Sequence, residues 1–122
     1  MARYQDVLAW KECHVLALQV YRATRPFPKH ELYGLTSQLR RAASSAPTNI
    51  VEGLARRGPN ELRHFLNIAL GSLSEVEYLL QLSHELDILP SEEWKVLTAQ
   101  QRRARFLTWQ LYRAVQQHRR PA

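Results

Sequence analysis

Apolar residues recur at three- and four-residue spacing along almost the whole chain. Only three short segments interrupt them: TRPFPKH (Thr24 to His30), Gly58-Pro59 and ILPSEEW (Ile88 to Trp94). Spacings of three and four mark one face of a helix, whereas a half-buried strand alternates at every second residue. Proline has no amide proton and biases the residue before it towards extended conformations, so each interruption ends a helix. Three breaks leave four helices, expected at about residues 5–25, 32–57, 59–87 and 92–118. Short connections make sequential helices antiparallel. The expected fold is all-α: a single-domain, up-down-up-down antiparallel four-helix bundle. The sequence carries no strand pattern and no internal repeat.

Each helix has its own expected packing. In the first, Val7, Trp10, Cys13, His14, Ala17, Val20 and Tyr21 form the apolar stripe. In the second, Leu35, Leu39, Ala42, Ala43, Ala46, Ile50 and Leu54 share one face, opposite Arg41, Ser45, Thr48, Asn49, Glu52 and Arg56. Pro47 is expected to kink this helix and free the carbonyl of Ala43, with Ser44 and Ser45 close enough to help satisfy it. Arg41, Asn49, Glu52 and Arg56 are expected to form a structural polar network, because a lone buried carboxylate is costly and Arg56 lies one turn from Glu52. Arg41 is too far along the helix to pair there and is expected to join through another helix or subunit.

Gly58 suits the N-cap of the third helix, with Pro59 in its first position and Glu61 near the positive end of its dipole. This helix carries two apolar stripes: Leu62, Leu66, Ala69, Leu73, Val76 and Leu80, then Phe65, Ile68, Leu79, Leu82 and Leu86. Two stripes are more than a peripheral helix needs, so it is either central or shared with another subunit, with Gly71-Ser72 as a point of close approach. Ser91 is the expected N-cap of the fourth helix, which buries Trp94, Leu97, Ala104, Leu111, Tyr112 and Val115.

The chain has 122 residues, 45% of them hydrophobic, enough for one domain with a real core. Its single cysteine, Cys13, suits a reducing compartment. The N-terminus reaches Asp6 before any apolar segment forms, so no signal peptide is expected, and no uncharged run approaches the ~18 residues of a membrane span. A soluble, cytoplasmic protein is expected. None of the five histidines forms an HxxxH or HExxH pair, and Glu61 with His64 is a lone i,i+3 pair without matching carboxylates on other helices. Phosphate-binding and nucleophile-elbow motifs are absent, with Gly34, Gly53, Gly58 and Gly71 all isolated. No metal, cofactor or enzymatic activity is expected.

Charge is the remaining signal. The net charge is +6, unevenly placed: His64 to Trp94 holds six acids and no Lys or Arg, and Lys95 to Ala122 holds seven basic residues and no acid. On the fourth helix, Lys95, Arg102, Phe106, Trp109, Arg113 and Arg120 project within about 60° of one another, with Arg105 at their edge. Interleaved arginine and aromatic side chains suit phosphate contacts and base stacking. Nucleic acid, RNA or DNA, is one expected partner. The same face also suits packing against another subunit, or docking of an acidic protein in an adaptor role.

The stretch LYGLTSQLRRAASSAPTNIVEG (Leu32 to Gly53) resembles small bacterial four-helix-bundle proteins encoded in intervening sequences of 23S ribosomal RNA genes. DVLAWK (Asp6 to Lys11), VYRAT (Val20 to Thr24), FPKHELYGL (Phe27 to Leu35) and ELRHFLNIALGSLSEVEYLL (Glu61 to Leu80) continue the resemblance over about residues 6–90. Ser44-Ser45-Ala46 stand where that family usually has Val-Ser-Ile, and Val51 where it usually has Ala, which are small packing changes. The resemblance implies a non-enzymatic, ring-forming homopentamer. It also implies kinship with a retroelement accessory protein that engages a reverse transcriptase and RNA. A ring would repeat the basic face and sum modest contacts through avidity.

Overall fold

The computed structural model describes residues 3–118. Its helices are α1 (Leu8–Ala23), α2 (Ser37–Ala55), α3 (Pro59–Glu85) and α4 (Ser91–His118). Each packs antiparallel on its neighbours in sequence, and α4 completes the bundle against α1. This is the expected all-α four-helix bundle, and no strand occurs among the described residues.

The helix ends differ from expectation for local reasons. α1 begins at Leu8 because Val7 is extended (φ −83°, ψ 118°), and Tyr4–Asp6 form a separate 3-10 turn. Its C-terminal end is held by Arg40, whose Nε donates to Thr24 Oγ1 at 2.8 Å and whose guanidinium lies 5.0 Å from the centre of the Tyr21 ring. A cation at that end complements the helix dipole. Leu32–Thr36 form a π-helical turn around a non-helical Gly34 (φ −111°, ψ −109°), so α2 starts only at Ser37. It stops at Ala55 because Arg56 is extended (φ −83°, ψ 164°).

The α-helix runs on through Pro47, which is buried. The neighbouring hydroxyls do not serve the Ala43 carbonyl as expected. Ser44 Oγ donates to the Arg41 carbonyl at 3.3 Å, while Ser45 Oγ pairs with Ser72 Oγ of α3 at 2.9 Å. Gly58 does cap α3, at φ 89° and ψ 157°, a conformation that costs glycine little and other residues much. Beyond α3, Asp87 takes a left-handed conformation (φ 59°). The Ser83 carbonyl accepts from the Ile88 and Leu89 amides, both at 3.0 Å. Pro90, not Ser91, is the N-cap of α4, since its carbonyl accepts from the Trp94 amide at 2.9 Å.

Leu16, Val20, Leu39, Ile50, Leu66, Leu73, Val76, Leu80 and Leu89 are fully buried at the centre. Two expected members of the α1 stripe, His14 and Tyr21, are exposed, and Leu16 is buried instead. The helix lies between α2 and α4, and its buried arc is centred on Cys13, Leu16 and Val20. The close approach expected at Gly71 lies elsewhere. A Cβ at Gly71 would meet nothing within 4 Å, whereas one at Gly53 would sit 2.9 Å from Leu62 Cδ1 and 3.0 Å from Phe65 Cβ. α2 presents Ala42, Ala43, Ala46 and Gly53 as buried small residues, and this lets α3 come close.

Polar contacts tie the helices in register. Gln100 of α4 donates to the backbone carbonyl and to Oε1 of Glu12 in α1, both at 2.9 Å, and Arg103 Nε approaches the same carboxylate at 3.1 Å. The hydrogen bond from Gln100, aided by Arg103, holds the Glu12 carboxyl below its ordinary value of 4.5, against the opposing effect of burial. Deeper in the α1–α4 seam, Cys13 Sγ and Thr108 Oγ1 lie 3.5 Å apart. Burial pushes the Cys13 thiol up to about 11.

Candidate nucleic-acid interface

α4 opens with Glu92 and Glu93 in its first turn, and every charged residue after them is basic. The bundle sorts these cations into two groups. Arg103 faces α1 and pairs with Glu12. Lys95, Arg102, Arg105 and Arg113 are exposed, and none belongs to an ion pair among the described residues. Arg120, grouped with them from the sequence, lies outside the described residues.

Two aromatic side chains stand among the unpaired cations: Phe106 is 58% exposed and Trp109 41%. Trp109 is supported from within the protein. Its ring stacks on Tyr112, with centroids 5.6 Å apart and an interplanar angle of 17°. Arg63 of α3 fixes Tyr112 in turn, with Nη2 donating to its hydroxyl at 3.1 Å and the guanidinium 5.3 Å from its ring centre. The result is a braced aromatic platform in a cationic field, and such surfaces stack unpaired bases and hold phosphates.

Beside the platform, a groove of about 370 Å³ runs between α3 and α4, lined by Ser74, Glu77, Gln101, Arg102, Arg105, Phe106 and Trp109. Gln101 forms its floor and is 1% exposed. Its Nε2 donates to the Leu73 carbonyl at 2.9 Å, while its Oε1 is buried with no hydrogen-bond partner. Sequence reasoning found the arginines and Trp109 but not Arg63, Ser74, Glu77 or Gln101. Tyr112 was expected only in the core. The i,i+3 spacing of Trp109 and Tyr112 was the one available signal for the stacked pair.

The expected polar network of α2 is not brought together. Glu52 and Arg56 form an i,i+4 pair at 3.3 Å with side chains 49% and 47% exposed, so the carboxylate is not a buried one needing rescue. Asn49 Nδ2 instead donates to the Ser45 carbonyl at 2.8 Å and to Ser45 Oγ at 3.0 Å, joining the Ser45–Ser72 contact to α3. Arg41 is exposed and lines a separate polar groove with Ser45, Ser72 and Glu75. A single azimuth on α2 thus reaches three different surroundings.

Fold and surface together define the class: an antiparallel four-helix bundle with one cationic, aromatic flank. Among the described residues no group of three or more His, Cys, Asp or Glu is placed to hold a metal ion. Nor is any helix long and apolar enough to cross a membrane. The chain belongs to the 23S rRNA-intervening sequence protein family, whose model matches residues 5–117, the last helix included. A crystal structure of a protein of unknown function from the S23 ribosomal protein family of Bacteroides thetaiotaomicron shares the fold. Its TM-score is 0.77 at 18% sequence identity, covering 86% of this chain and 98% of that one. At that identity the likeness bears on the fold alone. No curated protein matches the chain significantly.

Proposed function

We propose that the protein is a non-enzymatic scaffold, a ring of five copies, that binds RNA through the exposed face of α4. The observation carrying this reading is the sorting of charge on that helix. One arginine, Arg103, is committed to Glu12 of α1, while Lys95, Arg102, Arg105 and Arg113 have no ion pair among the described residues, and Arg102 and Arg105 share a groove with the braced Trp109. Free cations neutralise phosphates at the cost of displacing only salt ions, and the aromatic adds affinity for unpaired bases.

Assembly is supported by apolar surface that one bundle leaves uncovered. Ile68 and Tyr78 on α3 are 39% and 63% exposed, Leu86 just after it is 54% exposed, and Tyr33 on the π-helical turn is 93% exposed. A closed ring would cover such patches and repeat the cationic face around its axis. We assign it to the cytoplasm, where the one free cysteine, Cys13, stays reduced.

The test is what accompanies the protein on purification without nuclease. Wild type should carry RNA, seen as a raised ratio of absorbance at the nucleic-acid and protein maxima, and lose it on ribonuclease treatment. Arg102→Glu combined with Arg113→Glu should purify clean. A wild type free of nucleic acid, or a double variant that carries as much, would turn the assignment towards an adaptor for an acidic protein.

A further inference from the structure

We propose that the groove between α3 and α4 is a pocket for one unpaired guanine of an RNA strand. This rests on the reading of α4 as an RNA-binding face and names the base that the face selects. The starting observation is Glu77. A carboxylate among phosphate-binding arginines lowers affinity for the backbone, yet Glu77 lines the same groove as Arg102 and Arg105, with no ion pair to either. A group that opposes backbone binding has a use if it meets the base.

Guanine is the nucleobase whose Watson–Crick edge places two donors side by side, N1–H and the N2 amino group. A carboxylate offers two acceptors at matching separation, so the pair is bidentate and charge-assisted. Adenine, cytosine and uracil each present one donor on that edge, flanked by acceptors that a carboxylate repels. The rest of the groove supplies what such a base needs. Trp109, held by Tyr112 and through it by Arg63, is a fixed surface for the ring to stack on. Arg102 and Arg105 stand at the rim for the flanking phosphates.

The floor adds a third feature. Gln101 is 1% exposed, its amide is held in one orientation by the Leu73 carbonyl, and its Oε1 is a buried acceptor without a partner. That oxygen has almost no accessible surface, so Gln101 closes the floor of the groove and does not itself bond a base. The volume, about 370 Å³, falls within the roughly 300–1,000 Å³ typical of small-molecule sites and leaves room for one base. Single-stranded RNA is read in this way, with splayed bases stacked on aromatics and bonded along their edges.

The test uses the full chain and labelled oligouridine strands in which one central residue is uridine, adenosine, inosine or guanosine, followed by polarisation at low salt. One guanosine should tighten binding on the order of tenfold over adenosine, as a good bidentate contact does. Inosine, which lacks the N2 amino group, should lose most of that gain. Glu77→Gln should erase the guanosine advantage while binding of the all-uridine strand is kept or strengthened. Equal binding of guanosine and adenosine strands overturns the pocket, as does a guanosine preference that survives in Glu77→Gln. If the strands bind equally and Arg102→Glu with Arg113→Glu abolishes binding, the RNA-binding face stands and only the guanine assignment falls. If wild type binds no strand, both fall. Guanosine monophosphate competing as tightly as the guanosine strand would assign the pocket to a free nucleotide and overturn the strand.

Discussion

Two glycines on neighbouring helices give opposite responses to the same substitution. Ala replaces Gly in a helix interior with a gain of about 1 kcal/mol from backbone entropy. Gly71 is exposed on α3, and an added Cβ there meets nothing within 4 Å, so Gly71→Ala should show that gain. At Gly53 the Cβ would sit 2.9 Å from Leu62 Cδ1, 3.0 Å from Phe65 Cβ and 3.4 Å from the Leu62 carbonyl oxygen. The Leu62 methyl can rotate away, but Phe65 Cβ and the carbonyl move only with α3 itself. Overpacking of that kind costs about 1–3 kcal/mol, leaving a net loss of up to ~2 kcal/mol once the helix gain is subtracted. At about 4 °C per kcal/mol for a domain of this size, Gly71→Ala should melt ~4 °C higher than wild type and Gly53→Ala up to ~8 °C lower. Thermal melts followed by circular dichroism at one fixed protein concentration would measure both. If Gly53→Ala stabilises the protein as much as Gly71→Ala does, the close contact between α2 and α3 at Gly53 is wrong.

Three further outcomes follow from other parts of the bundle. Light scattering at micromolar concentration should give the mass of five chains, and a monomer mass would remove the ring. Because the folded Glu12 carboxyl lies below its ordinary 4.5, its contribution to stability is present above that pH and is lost as pH falls through the folded value. The urea midpoint should therefore drop on the acid side, and Glu12→Gln should flatten that limb; an unchanged limb would show that Glu12 does not carry it. Cys13 is fully buried, with its thiol pushed up to about 11, so a disulfide reagent should modify it only as fast as the protein opens, whereas immediate reaction in native buffer would place it at the surface.

The helices were legible because their ends are chemical events: Pro26 and Pro28, Gly58-Pro59 and Pro90 lie at helix boundaries, whereas Pro47 is carried inside α2. The core of α3 was legible for a related reason, since Leu66, Leu73 and Leu80 repeat on one stripe and are all buried. What periodicity does not supply is the neighbour. Arg41, Asn49 and Glu52 share an azimuth on α2, yet one lines a polar groove, one reaches Ser45 and one is paired in the open. Buried Gln101 and Thr108 look like solvated positions in the sequence, because the Leu73 carbonyl that accepts from Gln101 and the Cys13 thiol that lies against Thr108 come from other helices. The groove beside Trp109 is a product of α3–α4 pairing and was invisible for the same reason. Glu77 and Arg102 are far apart in sequence and share a groove only after folding.

The central claim is that α4 meets RNA through unpaired cations, and the most direct measurement is affinity for a labelled single-stranded RNA as a function of salt. Each phosphate contact should contribute about −0.7 to the slope of log affinity against log salt, so the four described side chains Lys95, Arg102, Arg105 and Arg113 predict a slope approaching −2.8 per protomer. Arg102→Glu with Arg113→Glu should abolish binding at low salt while leaving the melting temperature and oligomer mass unchanged. A slope near zero, or equal binding by wild type and the double variant, would contradict the claim.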